Sequence, residues 1–213
     1  PGACVVLANE PDPGRFPFRP EFLVSLQDVG AGGVRFMDLM GTNLLSSGGL
    51  PAVVTWSDYT TLDAARWDRL PVERIADLAN LVGDAWVNIP HGADDGFVVN
   101  FARVLKTRLA LERRVLVELS NEAWNGGFRQ IADLAQVGCS RYADLTLACD
   151  QEGGSAPNGR LCEGFPARWN DACGRAARRW YAQRAKEVWR VFDAELGRAR
   201  VVHVLGGQSS VAG

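Results

Sequence analysis

The chain has 213 residues, of which 47% are hydrophobic and 23% are charged, and its formal net charge is -2. This composition is typical of a globular protein that is long enough to bury a sizeable core. The near-neutral balance gives no electrostatic reason to expect a nucleic acid or a membrane as partner. The sequence has no run of about 18 apolar residues and no recognisable secretory signal.

Strand-like and helical patterns alternate along the chain. The predicted strands are residues 3–7 (ACVVL), 33–39 (GVRFMDL), 86–90 (WVNIP), 114–119 and 200–205 (RVVHVL). The predicted helices begin at Pro20, at Pro71, after the capping pair Asp94-Asp95, at Phe128 and at Ala172, the last running to 196. Alternation of this kind predicts an α/β fold with a parallel sheet and right-handed crossovers.

Either an open doubly wound sheet or a (β/α) barrel satisfies this order of elements. An open sheet usually carries a glycine-rich nucleotide-binding turn after its first strand. Here the first strand is followed by ANEPDPGRFPF, which contains neither GxGxxG nor GxxxxGK[ST]. The polar residues instead follow several strands, which is where barrel enzymes place their active sites. We therefore favour a (β/α)8 TIM barrel.

The chain has five cysteines, four of which lie between Cys139 and Cys173. Their spacings are long and irregular, and the stretch contains no histidine, so disulfides are favoured over a metal site. The alternative is a set of free thiols in a cytosolic protein. Two disulfides here predict a secreted or periplasmic protein, with a Cys-rich loop at about 138–171.

The stretch VLVELSNEAWN, residues 115–125, begins as a buried strand and ends in polar and aromatic groups. If the strand stays extended, Glu118 and Glu122 point the same way, with Glu122 nearer the rim. A carboxyl group beside an indole can be kept protonated by partial desolvation, which suits a general acid/base. Asn121 is placed to bind a sugar hydroxyl. Amides, a guanidinium and indoles together suit a hydroxyl-rich ligand.

The motif SNEAWN resembles the Asn-Glu acid/base motif of the retaining glycoside hydrolases with (β/α)8 barrels, the clan that contains many cellulases, mannanases, xylanases and β-galactosidases. In that clan the Asn-Glu pair ends the fourth strand. An Arg near the second strand and often a His near the third complete the pocket. With 3–7 as the first strand, Arg35, His91 and Glu122 fall in that order.

The resemblance implies hydrolysis of β-glycosidic bonds in a poly- or oligosaccharide, with Glu122 as the acid/base. It implies a carbohydrate substrate, no cofactor and no metal, and it does not specify an oligomeric state. The substrate-binding residues that it implies are Arg35, Asn43, His91, Asn121 and Trp124.

The clan supplies its nucleophile from a Glu after the seventh strand, whereas this sequence ends just after a predicted fifth. Residues 1–213 are therefore expected to be the first five βα units of a barrel, a fragment whose nucleophile follows the C-terminus.

Each candidate residue also has a structural interpretation. Glu122 could be a buried carboxylate paired with Arg35, and Glu118 is expected to be such an interior group. His91 could contact a sugar or cap a loop, Trp124 could be a sugar platform or packing, and His203 is expected to lie in the core. At the level of the protein, the alternative to an enzyme is a non-catalytic carbohydrate-binding or scaffold barrel that retains the pocket.

Overall fold

The protein has a mixed α/β fold built around a parallel sheet. The computed structural model describes residues 18–44, 53–125, 127–153, 162 and 171–207. Its four strands are β1 (Gly33–Arg35), β2 (Asp84–Ile89), β3 (Val115–Leu119) and β4 (Val201–Val204), all parallel and paired in the order β1-β2-β3-β4. The predicted α/β class with a parallel sheet is confirmed. The strand predicted at 3–7 lies outside the described residues.

Helices connect the strands in the way that parallel pairing requires. They are α1 (Pro20–Asp28), α2 (Val72–Val82), α3 (Asp95–Arg108), α4 (Gln130–Arg141), α5 (Ala143–Gly153) and α6 (Ala172–Leu196). The predicted cap of the third helix is confirmed, because Asp94 Oδ1 accepts a hydrogen bond of 2.6 Å from the backbone N–H of Phe97. None of the described helices is both long and apolar enough to cross a membrane.

Two elements differ from their predicted extent. The strand expected over 33–39 ends at Arg35, because the chain then turns, with Met40 N donating to Phe36 O and Gly41 in a left-handed conformation. The stretch expected to be an irregular loop from about 138 contains the end of α4 and all of α5. Helix α5 is stabilised by packing against α4 and α6, and its own sequence gives only a weak periodic signal.

The two faces of the sheet differ in character. Side chains such as Val87, Val117 and Leu119 lie on the face that α2, α3 and α6 cover, and they are fully buried. The opposite face carries polar groups, since the strand register places Arg35 beside Trp86 and Asn88 beside Glu118. Arg35 is exposed and Trp86 is half-buried, so the second face is only partly covered. The sheet therefore presents a polar face away from its helices.

Two disulfides lie among the helices that follow β3. Cys139 of α4 is bonded to Cys149 of α5, and Cys162 is bonded to Cys173 in the first turn of α6. The prediction of two disulfides in this stretch is confirmed. Helices α4 and α6 approach so closely at Gly138 that a Cβ atom there would overlap the backbone carbonyl of Ala176.

We predict that Gly138→Ala destabilises the protein by about 1–3 kcal/mol, because the added methyl group meets backbone that is unable to rotate away. The helix propensity of alanine, worth about 1 kcal/mol, offsets only part of this cost. Urea unfolding followed by circular dichroism measures the change. The matched control is Gly32→Ala, since a Cβ atom at Gly32 has no heavy atom within 4 Å. A Gly138 variant as stable as the control would contradict the close approach.

Candidate functional site

The centre of the candidate site is the buried carboxylate of Glu118, which is 3% exposed. Its Oε2 atom accepts hydrogen bonds from Arg35 Nη2 at 2.8 Å, Trp86 Nε1 at 2.9 Å and Asn88 Nδ2 at 2.9 Å. A buried carboxylate is costly unless it is paired and hydrogen-bonded, and here one oxygen receives three donors. The prediction that Glu118 is an interior group bonded to Arg35 is confirmed.

Asn121 and Asn43 extend this network toward the carboxyl end of the sheet. Asn121 Oδ1 accepts from Arg35 Nη2 at 3.0 Å, and Asn121 Nδ2 donates to Asn43 Oδ1 at 3.2 Å. Asn43 Oδ1 also accepts from Gln130 Nε2 at the start of α4. The structure thus brings together Arg35, Asn43 and Asn121. Because both ends of the Asn121 amide are bonded, the orientation of that side chain is fixed.

The backbone after β3 is strained. The strand ends at Leu119, and both Ser120 (φ 60°) and Glu122 (φ 43°) adopt left-handed conformations. Such conformations cost about 1–3 kcal/mol each and often occur at functional sites. The expectation that an extended strand aligns Glu118 and Glu122 is wrong, because the chain leaves the sheet between them.

Glu122 is consequently held apart from the buried ion pair. It is half-buried, whereas Glu118 is buried. Its Oε2 accepts a hydrogen bond of 2.7 Å from Asn125 Nδ2, and its backbone carbonyl accepts from Asn125 N at 2.9 Å. Arg35 bonds to Glu118 and Asn121, so the alternative in which Arg35 pairs with Glu122 receives no support from these contacts.

Trp124 approaches the same cluster through Gly206, which follows β4. A Cβ atom on Gly206 would lie 3.0 Å from Glu118 Oε1, 3.0 Å from Trp124 Cζ3 and 3.1 Å from the Tyr181 hydroxyl oxygen. The backbone N–H of Gly206 donates to that hydroxyl at 3.0 Å. Burial raises the pKa of Tyr181 to about 12, and the negative charge of Glu118 acts in the same direction. The loop after β4 therefore completes the cluster.

His91 has a different environment. Its Nε2 atom lies 3.2 Å from Asp133 Oδ2, and its side chain is 4% exposed. It lines a cavity of about 440 Å³ whose wall also includes Asp95, Trp180 and Arg184. The hydrogen bonds of the described residues link His91 to α4, and none of them joins it to Arg35, Asn121 or Glu122.

The network includes residues that the sequence analysis did not assign to the site: Trp86, Gln130, Tyr181 and Gly206. Trp86 could have been predicted, because it lies two residues before Asn88 in β2 and therefore shares its face of the sheet. Gln130 and Tyr181 carry no local signal, since their partners are distant in sequence. The core position predicted for His203 is wrong: its side chain is 27% exposed, with Nε2 3.1 Å from Asp193 Oδ1 and its ring stacked on Trp189.

Several polar atoms near the site are buried without a protein partner. Among the described residues, Asn88 Oδ1, His91 Nδ1 and Ser120 Oγ have no hydrogen bond to protein. Such groups are uncommon inside proteins and frequently accept a water or ligand. In the described ranges, the one set of three or more side chains arranged to hold a metal is the cysteine cluster.

We predict that Glu118→Gln destabilises the protein by about 1–3 kcal/mol, because the three donors lose their charged acceptor. The loss of stability is modest because the side chain of Arg35 is 35% exposed and remains partly solvated. The midpoint of urea unfolding measures the effect. Glu112→Gln is the matched control, since Glu112 is exposed. Equal midpoints for the two variants would refute a structural role for Glu118.

We predict that the stability contributed by Tyr181 is lost at high pH. The pKa of its phenol is raised from 10.0 to about 12, so the folded state retains the proton that the unfolded state releases. Its contribution is complete below pH 10 and falls between about pH 10 and pH 12. The difference in unfolding free energy between the wild type and Tyr181→Phe, measured against pH, should shrink across this window. A constant difference would contradict the prediction.

Comparison with known protein families, with curated proteins and with solved structures finds no significant match for this chain. The geometry of the site and the motif at residues 120–125 are therefore the features that indicate a function.

Proposed function

We propose that the chain belongs to the catalytic domain of a retaining β-glycoside hydrolase, with Glu122 as general acid/base. The observation that carries this proposal is the placement of Glu122. Its half-buried carboxylate follows a strained turn at the carboxyl end of β3, directly after an asparagine whose amide is held at both ends. A proton donor and a hydroxyl-binding amide in adjacent positions suit attack on a glycosidic bond.

We further propose that the sheet is part of a (β/α)8 barrel. Two features of the sheet support this architecture. The strands pair in chain order without the reversal that marks a doubly wound sheet. Their helix-free face carries Arg35, Trp86, Asn88 and Glu118, as the interior face of a barrel would near its active-site end. The strand predicted at 3–7 would precede β1, which makes five βα units in residues 1–213.

Each implied binding residue has a role in this proposal. Asn121 retains one N–H and one lone pair after its bonds to Arg35 and Asn43, and these can bind a sugar hydroxyl. Arg35 and Asn43 orient that amide. Trp124 is half-buried and offers an apolar surface to a sugar ring. His91 would contact substrate only through the cavity that it lines, with Asp133 fixing its ring.

The proposed reaction needs two carboxyl groups. Glu122 protonates the departing oxygen while a carboxylate about 5 Å away attacks the anomeric carbon, and Glu122 then deprotonates water. Glu118 Oε2 is already bound by three donors. Glu187 and Glu195 lie in α6, behind the helix-covered face. We therefore place the nucleophile outside the described residues.

The two disulfides support the further proposal of a secreted or periplasmic location, because such bonds persist in oxidising compartments. Poly- and oligosaccharide substrates are also common outside the cytosol, which agrees with this placement.

We predict that Glu122→Ala, made in the complete natural protein, lowers hydrolysis of β-glycosides with poor leaving groups by about 100- to 10,000-fold. Aryl glycosides with good leaving groups need less protonation and should lose much less in the glycosylation step. Azide should restore turnover of the variant and yield a β-glycosyl azide, because a small anion can replace the missing base.

The matched control is Glu112→Ala, which removes an exposed carboxylate and should leave both substrates unaffected. Equal losses on good and poor leaving groups would rule out the acid/base role of Glu122. Oligosaccharide binding by a wild-type protein that shows no hydrolysis, with binding unchanged in Glu122→Gln, would favour the non-catalytic barrel.

A further inference from the structure

The two disulfides form a single cluster of sulfur atoms. The Sγ atoms of Cys139, Cys149, Cys162 and Cys173 all lie within 4.8 Å of one another, and all four residues are buried. Cys139 Sγ lies 3.1 Å from Cys162 Sγ, although these atoms belong to different disulfides. Two disulfides can each cross-link the chain without lying in contact with one another. This arrangement brings four potential thiolate ligands around one point.

Helix packing positions three of the four cysteines. Three of its members are on α4, α5 and α6, which pack against one another. The close contact of Gly138 with Ala176 places α4 directly against α6 beside the cluster. Thr146 Oγ1 of α5 donates to the backbone carbonyl of Cys139 at 2.7 Å. The helices therefore set the positions of Cys139, Cys149 and Cys173, and Cys162 is joined to Cys173 by a disulfide.

We propose that the reduced form of this protein binds one Zn²⁺ ion through these four cysteines. Zinc bound by four thiolates is tetrahedral with Zn–S distances of about 2.3 Å, which places the sulfur atoms about 3.8 Å apart. Between the two pairs, Cys139 Sγ and Cys162 Sγ are 3.1 Å apart, and no two of the four sulfur atoms are more than 4.8 Å apart. The bonded sulfur atoms of each pair must move apart after reduction to reach the separation of a tetrahedral zinc site.

Reduction of both disulfides precedes metal binding. Each disulfide takes two electrons and two protons from a dithiol reductant, which becomes a disulfide, and gives two thiols. Binding of Zn²⁺ then releases the four thiol protons to water, leaving four thiolates on the metal. Exchange with two equivalents of a small-molecule disulfide reverses the process: each equivalent takes two electrons from two cysteine thiolates and is reduced to two thiols, and the ion is expelled.

The surroundings of the cluster favour this negatively charged complex. Four thiolates and one Zn²⁺ carry a net charge of -2 by this count. Cys173 lies in the first turn of α6, where the helix dipole stabilises a thiolate.

A zinc ion on these four residues would link α4, α5 and α6, whereas the disulfides join α4 to α5 and Cys162 to α6. Disulfides serve in an oxidising compartment, and zinc serves where thiols stay reduced. This site is separate from the Glu118–Glu122 cluster, so its failure or success is independent of the proposed glycosidase activity.

Co²⁺ is the direct probe, because its spectrum reports ligand type and geometry. The chain is reduced with a phosphine under anaerobic conditions, freed of reductant and titrated with Co²⁺. We expect one Co²⁺ per chain, intense thiolate-to-cobalt charge-transfer absorption, tetrahedral d–d bands and displacement by one equivalent of Zn²⁺. The oxidised protein should show none of these signals. Absence of the tetrathiolate spectrum from reduced protein that remains folded would overturn the proposal.

Variants separate a built site from adventitious binding by thiols. Replacement of Cys149 or Cys162 with Ser should weaken Zn²⁺ binding by more than about 100-fold, since even changes behind the metal ligands cost 10- to 100-fold. The matched control is Cys4→Ser, which should leave the cobalt spectrum unchanged because four ligands already complete the site.

Loss of folding on reduction is also tested directly. Circular dichroism of the reduced chain is recorded with and without Zn²⁺, and the titration is repeated in denaturant. A built site predicts that Zn²⁺ stabilises the helices and that affinity falls by at least about tenfold in denaturant. Equal affinity in the folded and denatured chains, or an unchanged spectrum in every cysteine variant, would refute it.

Discussion

The need to satisfy the buried carboxylate of Glu118 organises the polar face of this protein. A charged group that is 3% exposed requires donors from its surroundings, and the donors come from β1 and β2. Arg35 can reach it only if β1 and β3 are both registered on β2. The ion pair therefore specifies the strand order and the alignment of the carboxyl ends, although its net contribution to stability is modest. Packing of apolar residues beneath the helices supplies most of the folding free energy.

The arrangement of the SNEAWN segment depends on that ion pair. Arg35 bonds to Glu118 and also to Asn121, so one guanidinium connects the buried carboxylate to the turn above it. The turn contains two left-handed residues, whose conformations cost free energy. The hydrogen bonds of Asn121 to Arg35 and Asn43 help to offset this cost. Glu122 is thereby separated from the ion pair, and its half-buried carboxylate accepts a hydrogen bond from Asn125.

A second constraint acts near the N-terminal end of α6. The disulfide between Cys139 and Cys149 joins α4 to α5, and the contact of Gly138 with Ala176 holds α4 against α6. Because α4 begins at Gln130, which bonds to Asn43, this packing also supports one wall of the candidate site. Helix α6 carries Tyr181, whose hydroxyl contacts the loop after β4. The long helix α6 thus links the sulfur cluster to the polar network.

The sequence by itself determined the α/β alternation, the cap at Asp94, the pairing of Glu118 with Arg35 and the presence of disulfides. These features arise from local periodicity, from short-range hydrogen bonding or from the strong requirement that a buried charge be paired. Only the tertiary structure decided that α5 is a helix, that Ser120 and Glu122 leave the strand direction, and that His91 binds Asp133. It also decided that Gln130 and Tyr181 join the site and that four sulfur atoms meet at one point. Each of these depends on contacts between residues distant in sequence, whose free energy no local pattern records.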